Sequence, residues 1–189
     1  ILRSLRKKVA VKLGVPPFAV FQDPSLDDMA LKYPTNLEEL SKVHGVGEGK
    51  AKRFGSPFIE LIDRYTQENN ITRPEDLIVK STGINSSLTL YLIQSVDRKL
   101  PLDDIAAAKG MNMDRLITEM ETIVFAGTKL DINYWIEELL DEDQEEELYD
   151  YFMEAESDKI QEVLESFDGD FEEEEIRLYR IKFISEVAN

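Results

Sequence analysis

Cysteine is absent from the chain, and histidine occurs once, at His44. The first absence excludes a disulfide scaffold and thiolate metal clusters and fits a reducing cytoplasm; the second excludes a histidine-rich metal site. No apolar run approaches the roughly 18 residues that a membrane span needs, and no leader pattern opens the sequence. No nucleophile, base and orienting group stand in a recognisable pattern, so no catalytic residue and no metal ligand are assigned. An initiator methionine is also missing: the chain opens Ile1-Leu2-Arg3, which reads as the cut edge of a larger protein.

What is present suffices for a packed core. Apolar residues make up 42% of 189, an ordinary globular fraction, and the length suits one large domain or two of usual size. The net charge of −17 argues against nucleic acid until its distribution is read. Residues 1–70 carry 11 Lys/Arg against 9 Asp/Glu, whereas residues 71–189 carry 11 against 30. The two halves suit different partners.

Periodicity predicts an all-α chain. Leu2, Leu5, Val9 and Leu13 recur at helical spacing, with Arg3, Arg6, Lys7, Lys8 and Lys12 on the remaining faces. Gly14 ends that helix, and Val15-Pro16-Pro17 is extended. Ser25 is read as the N-cap of a short helix that Pro34 stops, and Thr35 with Glu38 as a capping box. Gly45-Val46-Gly47 turns the chain into a helix through about Phe54, and Ser56-Pro57 opens the next as N-cap and first helical position. Polar residues with Pro74 mark a linker at 71–76, between domains at 1–70 and 77–189. Seven further helices are expected in the second domain, and Gly127 to Ile132 is the one candidate for a short strand.

Two sequences imitate nucleotide-hydrolysis motifs. Gly45-Val46-Gly47-Glu48-Gly49-Lys50-Ala51 is one residue short of a P-loop, lacks Ser/Thr after the lysine, and follows a helix where a strand is required. Asp141-Glu142-Asp143-Gln144 has the composition of a helicase acidic box but lies in an acidic helical run. Neither supports ATP hydrolysis.

The run Leu2-Arg3, Arg6, Ala10, Val15-Pro16-Pro17-Phe18-Ala19-Val20-Phe21 and Asp23 continues through Ser25-Leu26, Met29-Ala30, Pro34, Leu40, Val43, Gly45-Val46-Gly47, Lys50 and Phe54-Gly55. In order and spacing it resembles the HRDC domain of RecQ-type DNA helicases and RNase D-like nucleases. The resemblance covers residues 1 to about 68. It implies a five-helix bundle that binds single-stranded or branched DNA beside a motor. The extension is similar to the C-terminal region of some bacterial RecQ proteins. By that resemblance the parent is an ATP-dependent 3′→5′ helicase of recombination and repair, with ATP and Mg²⁺ acting at a motor outside these residues and the helicase core as a partner. The alternatives are a protein-interaction module that docks on the helicase core without touching DNA, or the HRDC domain of a nuclease whose ligand is RNA.

The residue chemistry points the same way. Gly45 and Gly47 allow close backbone approach and lead into a helix N-terminus, which favours phosphate. Lys50, Lys52 and Arg53 on that helix, with Arg6, Lys7 and Lys8 on the first, would contact the backbone. Phe18, or Tyr65, offers a stacking platform if exposed. The plain readings are that the glycines close a hairpin, that the lysines form a solvated face, that Phe18 is core and that His44 is a turn residue. In the second half, Leu102 to Phe125 has the cadence of a helix-turn-helix, with Ala106 packing closely and Gly110 in the turn. Its second helix offers only Arg115 as a base against Asp114, Glu119 and Glu121, a charge that DNA would repel. Asp141 to Glu175 holds 18 acidic residues and one base, Lys159. That stretch is either a solubilising face or a surface that docks on a basic partner and regulates access to DNA.

Overall fold

The computed structural model describes residues 1–69, 71 and 86–189. Among these are thirteen α-helices and no strand. The chain forms two compact units, Ile1–Gly83 with Phe125–Gly127, and Ile84–Val124 with Thr128–Asn189. Apart from Ile71, the linker read at 71–76 lies outside the described residues.

The first unit holds α1 (Leu2–Leu13), α2 (Pro17–Val20), α3 (Asp23–Lys32), α4 (Leu37–Ser41), α5 (Glu48–Phe54) and α6 (Ser56–Glu68). These are five helices plus the single turn α2. Gly14 ends α1 at φ +68°, its N–H on the carbonyls of Ala10 and Val11, and the Val15 N–H returns to Ala10. Left-handed backbone after a helix is where glycine costs least. The caps of α3, α4 and α6 each fall one to three residues away from the sequence expectation. Gln22, not Ser25, precedes α3, because Pro24 fits the first turn, and Ser25 is buried inside the helix. Asn36 caps α4, accepting from the Glu39 N–H at 2.9 Å, while Glu39 returns to the Thr35 N–H at 2.8 Å. The reciprocal pair thus exists with different members. Gly55 precedes α6, leaving Pro57 at its second position. Phe21 anchors the core, with its ring edge-on to Phe58 (4.9 Å) and Phe54 (6.2 Å), beside Leu26, Met29, Leu40 and Ile62.

The second unit holds α7 (Ser86–Asp97), α8 (Leu102–Ala108), α9 (Met113–Phe125, save its last residue), α10 (Asn133–Leu139), α11 (Glu142–Glu154), α12 (Ile160–Ser166) and α13 (Glu173–Val187). Helix α13 packs against α10, α11 and α12. Ile176, Leu178, Tyr179, Ile181, Phe183 and Ile184 are all buried, so nearly its whole circumference is interior, as befits a central helix. Gly127 to Ile132 is not a strand: the Leu130 N–H is satisfied by Ser185 Oγ at 3.1 Å, with Leu130 and Ile132 in the core. Asp141 caps α11 by accepting from the Gln144 N–H at 2.9 Å, and Gln144 Oε1 accepts from the Asp141 N–H at 3.1 Å. The acidic quartet at 141–144 is therefore a helix start. Its acidic first turn complements the positive end of the helix dipole.

Candidate nucleic-acid interface

Helix α1 contains four exposed cations and no acid. Arg3, Lys7, Lys8 and Lys12 are exposed, and at 100° per residue they spread over one half of the helix circumference. The other half, carrying Leu2, Leu5, Val9 and Ala10, packs on the core. Arg3 approaches Asp23 and Asp27 loosely, at 3.7 and 4.0 Å, and its side chain remains 65% exposed. On α5, Lys52 and Arg53 are exposed; Lys52 pairs with Glu48 at 3.0 Å and Arg53 lies over the Phe54 ring.

Three candidate contact residues are interior, Phe18 in keeping with its plain reading as core. Arg6 is 6% exposed, with Nη1 donating to the Phe21 carbonyl at 2.7 Å and Nη2 2.9 Å from Asp23. Lys50 is 1% exposed, with Nζ donating to the Ala19 carbonyl at 2.8 Å. Phe18 is 2% exposed. The one-turn α2 has too few turns to bond its own final carbonyls, and a buried carbonyl without a donor is costly. Arg6 and Lys50 supply those donors around Ala19–Phe21. The reading of Arg6, Lys50 and Phe18 as DNA contacts is corrected accordingly: their side chains complete the fold. Sequence spacing held a signal for this. Arg6 stands four residues from both Leu2 and Ala10, and Lys50 four from Phe54, so each shares a helix face with apolar neighbours. Arg3 and Lys12, by contrast, belong with the exposed cations.

Gly45 has φ +66°, the turn conformation that requires glycine, and Gly47 is extended as the residue before α5. Helix α5 has only seven residues and begins with exposed Glu48, whose carboxylate opposes an anion at that terminus. The cationic surface is therefore on side chains, chiefly those of α1. His44 is exposed in the turn, its N–H donating to Asp28 at 2.7 Å.

In the second unit, α8 and α9 form the expected helix-turn-helix, with Gly110 at φ +63° and Ala106 buried. Two of the three acids of α9 are paired. Arg177 of α13 holds Asp114 at 2.5 Å and Glu121 at 2.8 Å, and bonds Thr118 at 2.9 Å. Arg180 holds Glu121 at 2.6 Å and Asp158 at 3.2 Å. Hydrogen bonding to Glu121 raises the Arg177 pKa above its already high ordinary value, outweighing the burial that would lower it. The repulsion expected from three free carboxylates is thus reduced by internal pairing. The same arginines tie α13 to the Asp114, Thr118 and Glu121 positions of α9, although Asp114 and Thr118 stay exposed.

Comparison with known proteins agrees with this geometry. Residues 1–62 match the HRDC domain, and residues 86–136 match the RecQ-1-like helix-turn-helix domain. The ATP-dependent DNA helicase RecQ of Bacillus subtilis is 44% identical over 66 residues, 35% of this chain and 11% of that protein. That of Haemophilus influenzae is 45% identical over 64 residues, 34% and 10% respectively. The mouse bifunctional 3'-5' exonuclease/ATP-dependent helicase WRN is 26% identical over 145 residues, 69% of this chain and 10% of that protein. The chain spans only about a tenth of the length of these relatives. Its two matched segments are an HRDC domain and a RecQ-1-like helix-turn-helix domain, which together make it an accessory region of the RecQ helicase family.

Proposed function

We propose that this region gives a RecQ-type ATP-dependent 3′→5′ helicase weak, salt-sensitive contacts to single-stranded or branched DNA, tuning substrate choice in recombination and repair. ATP and Mg²⁺ act at the motor of the parent protein, at the nucleoid in the cytoplasm. The observation that carries the reading is the acid-free outer face of α1, where Arg3, Lys7, Lys8 and Lys12 stand exposed within ten residues. Such a face tracks phosphates by charge and releases counterions without reading sequence. Lys52 and Arg53 add to it, although Glu48 partly neutralises Lys52. The expected affinity lies in the nonspecific range, Kd of roughly 10⁻⁴–10⁻⁶ M at physiological salt.

The test is fluorescence anisotropy of a labelled single strand and a four-way junction with the whole chain, across a salt series starting near 50 mM. Lys7→Glu/Lys8→Glu/Lys12→Glu is expected to weaken low-salt binding at least about tenfold and to flatten the salt dependence. Lys52→Glu/Arg53→Glu has a smaller effect, because it reverses two cations instead of three and Glu48 stands beside one of them. Binding that ignores the α1 triple reversal, or no binding at low salt, would replace this reading with a module that docks on its own helicase core.

For the second unit the reading is protein interaction. Arg177 and Arg180 of α13 engage two of the acids of α9, and α11 exposes Glu142, Asp143, Glu146, Glu147 and Asp150 without nearby bases on its own helix. That surface suits a basic protein partner and repels DNA.

A further inference from the structure

Beside the cations of α1, between α1, α3 and α6, lies a groove of about 360 Å³. Its floor is apolar, formed by Leu26, Met29 and Ile62, and its walls include Tyr33 and Tyr65. The two tyrosine rings are nearly parallel, 9° apart in plane with centroids at 6.5 Å. Tyr65 is 40% exposed, far more than the core aromatics of this unit. Tyr33 ends α3 at φ +50°, a left-handed conformation that a β-carbon disfavours and that helices usually give to glycine. A ring is therefore held against Tyr65 at a position where the backbone favours no side chain. Arg3 and Asp27 stand at the rim. Lys7 follows Arg3 by one helical turn on the same exposed face.

We infer that this groove is a base-binding subsite: one unpaired base of a single strand stacks on Tyr65, with its phosphates on Arg3 and Lys7. The inference rests on the DNA-binding reading above and adds to it a specific contact. Three features of the groove select a nucleotide over an apolar peptide. The exposed face of Tyr65, backed by the parallel Tyr33 ring, offers a planar base a platform, and base–aromatic stacking is tolerant of sequence. A cationic rim continues into the α1 stripe, which gives the adjoining backbone a path. Asp27 at the mouth accepts hydrogen bonds, which suits the amino group on a base edge and keeps a phosphate from entering. Duplex DNA, whose base faces are already stacked, is excluded from the site.

The experiment uses the whole chain with single-stranded and duplex oligonucleotides of equal length, the single strand also prepared with 5-iodouracil for photo-crosslinking. The expected result is a crosslink to Tyr65 by peptide mass mapping. Tyr65→Ala weakens single-strand binding roughly tenfold, the loss of one stacked base, while duplex binding and thermal unfolding stay unchanged. Tyr65→Phe retains both crosslink and affinity. Single-strand binding untouched by Tyr65→Ala, yet lost with the α1 charge reversal, overturns the subsite and leaves the DNA reading standing. A wild-type chain that binds no single strand at low salt overturns both. No crosslink, together with a concentration-dependent dimer that Tyr65→Ala dissociates, assigns the groove to self-association instead.

Discussion

Arg180→Ala is expected to destabilise the second unit by about 3–5 kcal/mol. Arg180 is buried and reaches three oxygens: Glu121 Oε1 at 2.6 Å, the Asp158 carbonyl at 2.6 Å and Asp158 Oδ2 at 3.2 Å. Glu121 and Asp158 are themselves only 12% exposed. Their desolvation is tolerable while the guanidinium stays between them. Removing it takes the guanidinium from Asp158 and leaves Glu121 to Arg177 alone, in a medium that solvates carboxylates poorly, and this cost, more than the pair's net worth, sets the magnitude. Arg177 cannot compensate, because it is already engaged with Asp114, Thr118 and Glu121. The single tryptophan, Trp135, lies on α10 of this unit and reports its unfolding by fluorescence in urea. The midpoint is expected to fall with little change in slope, and added salt to matter little, since screening acts weakly on buried pairs. A loss below about 1 kcal/mol would place the network in the class of exposed ion pairs, and the account of α13 fastened to α9 would fail.

Lys50 and Lys52 should separate sharply although only one residue lies between them. Lys50→Met keeps the aliphatic stem but removes the donor to the Ala19 carbonyl, and should cost about 1.5–3 kcal/mol. Lys50→Ala should cost more, because the stem's place in the core is vacated as well. Lys52→Ala, at an exposed pair with Glu48, should stay within about 0.5 kcal/mol. Hydrogen exchange followed by mass spectrometry locates the effect: the Lys50 variants should lose protection in peptides covering Ala19–Phe21, and Lys52→Ala should not. If equal, small effects were measured, Lys50 would return to the set of available DNA contacts. The comparison therefore decides whether that cation serves the fold or the ligand.

The all-α character of the chain, its helix stops and the helix-turn-helix cadence follow from local chemistry, so they are legible without coordinates. Gly14, Gly45 and Gly110 take positive φ where the sequence places turns, because the conformational freedom of glycine does not depend on distant contacts. Helix starts are less legible. Asn36 displaces Thr35 as the cap of α4, and the quartet at 141–144 is a capping box with a glutamine in the return position. Several short polar residues in a row offer competing caps of similar energy, and packing of the following helix chooses between them.

For the candidate interface, sequence determined the sign: an acid-free stretch over residues 2–13, in a chain of net charge −17, is visible without coordinates. Tertiary structure decided which cations remain outside. Arg6 and Lys50 turn inward because the single turn of α2 presents buried carbonyls that only long donors from α1 and α5 can reach. Arg177 and Arg180 meet the acids of α9 from 56 to 63 residues away, and Tyr33 meets Tyr65 across two helices. Charge and period are properties of a segment, so the sequence determines them. Whether a charge is spent on the fold or left for a ligand depends on what another segment brings to it, and only the packed chain determines that.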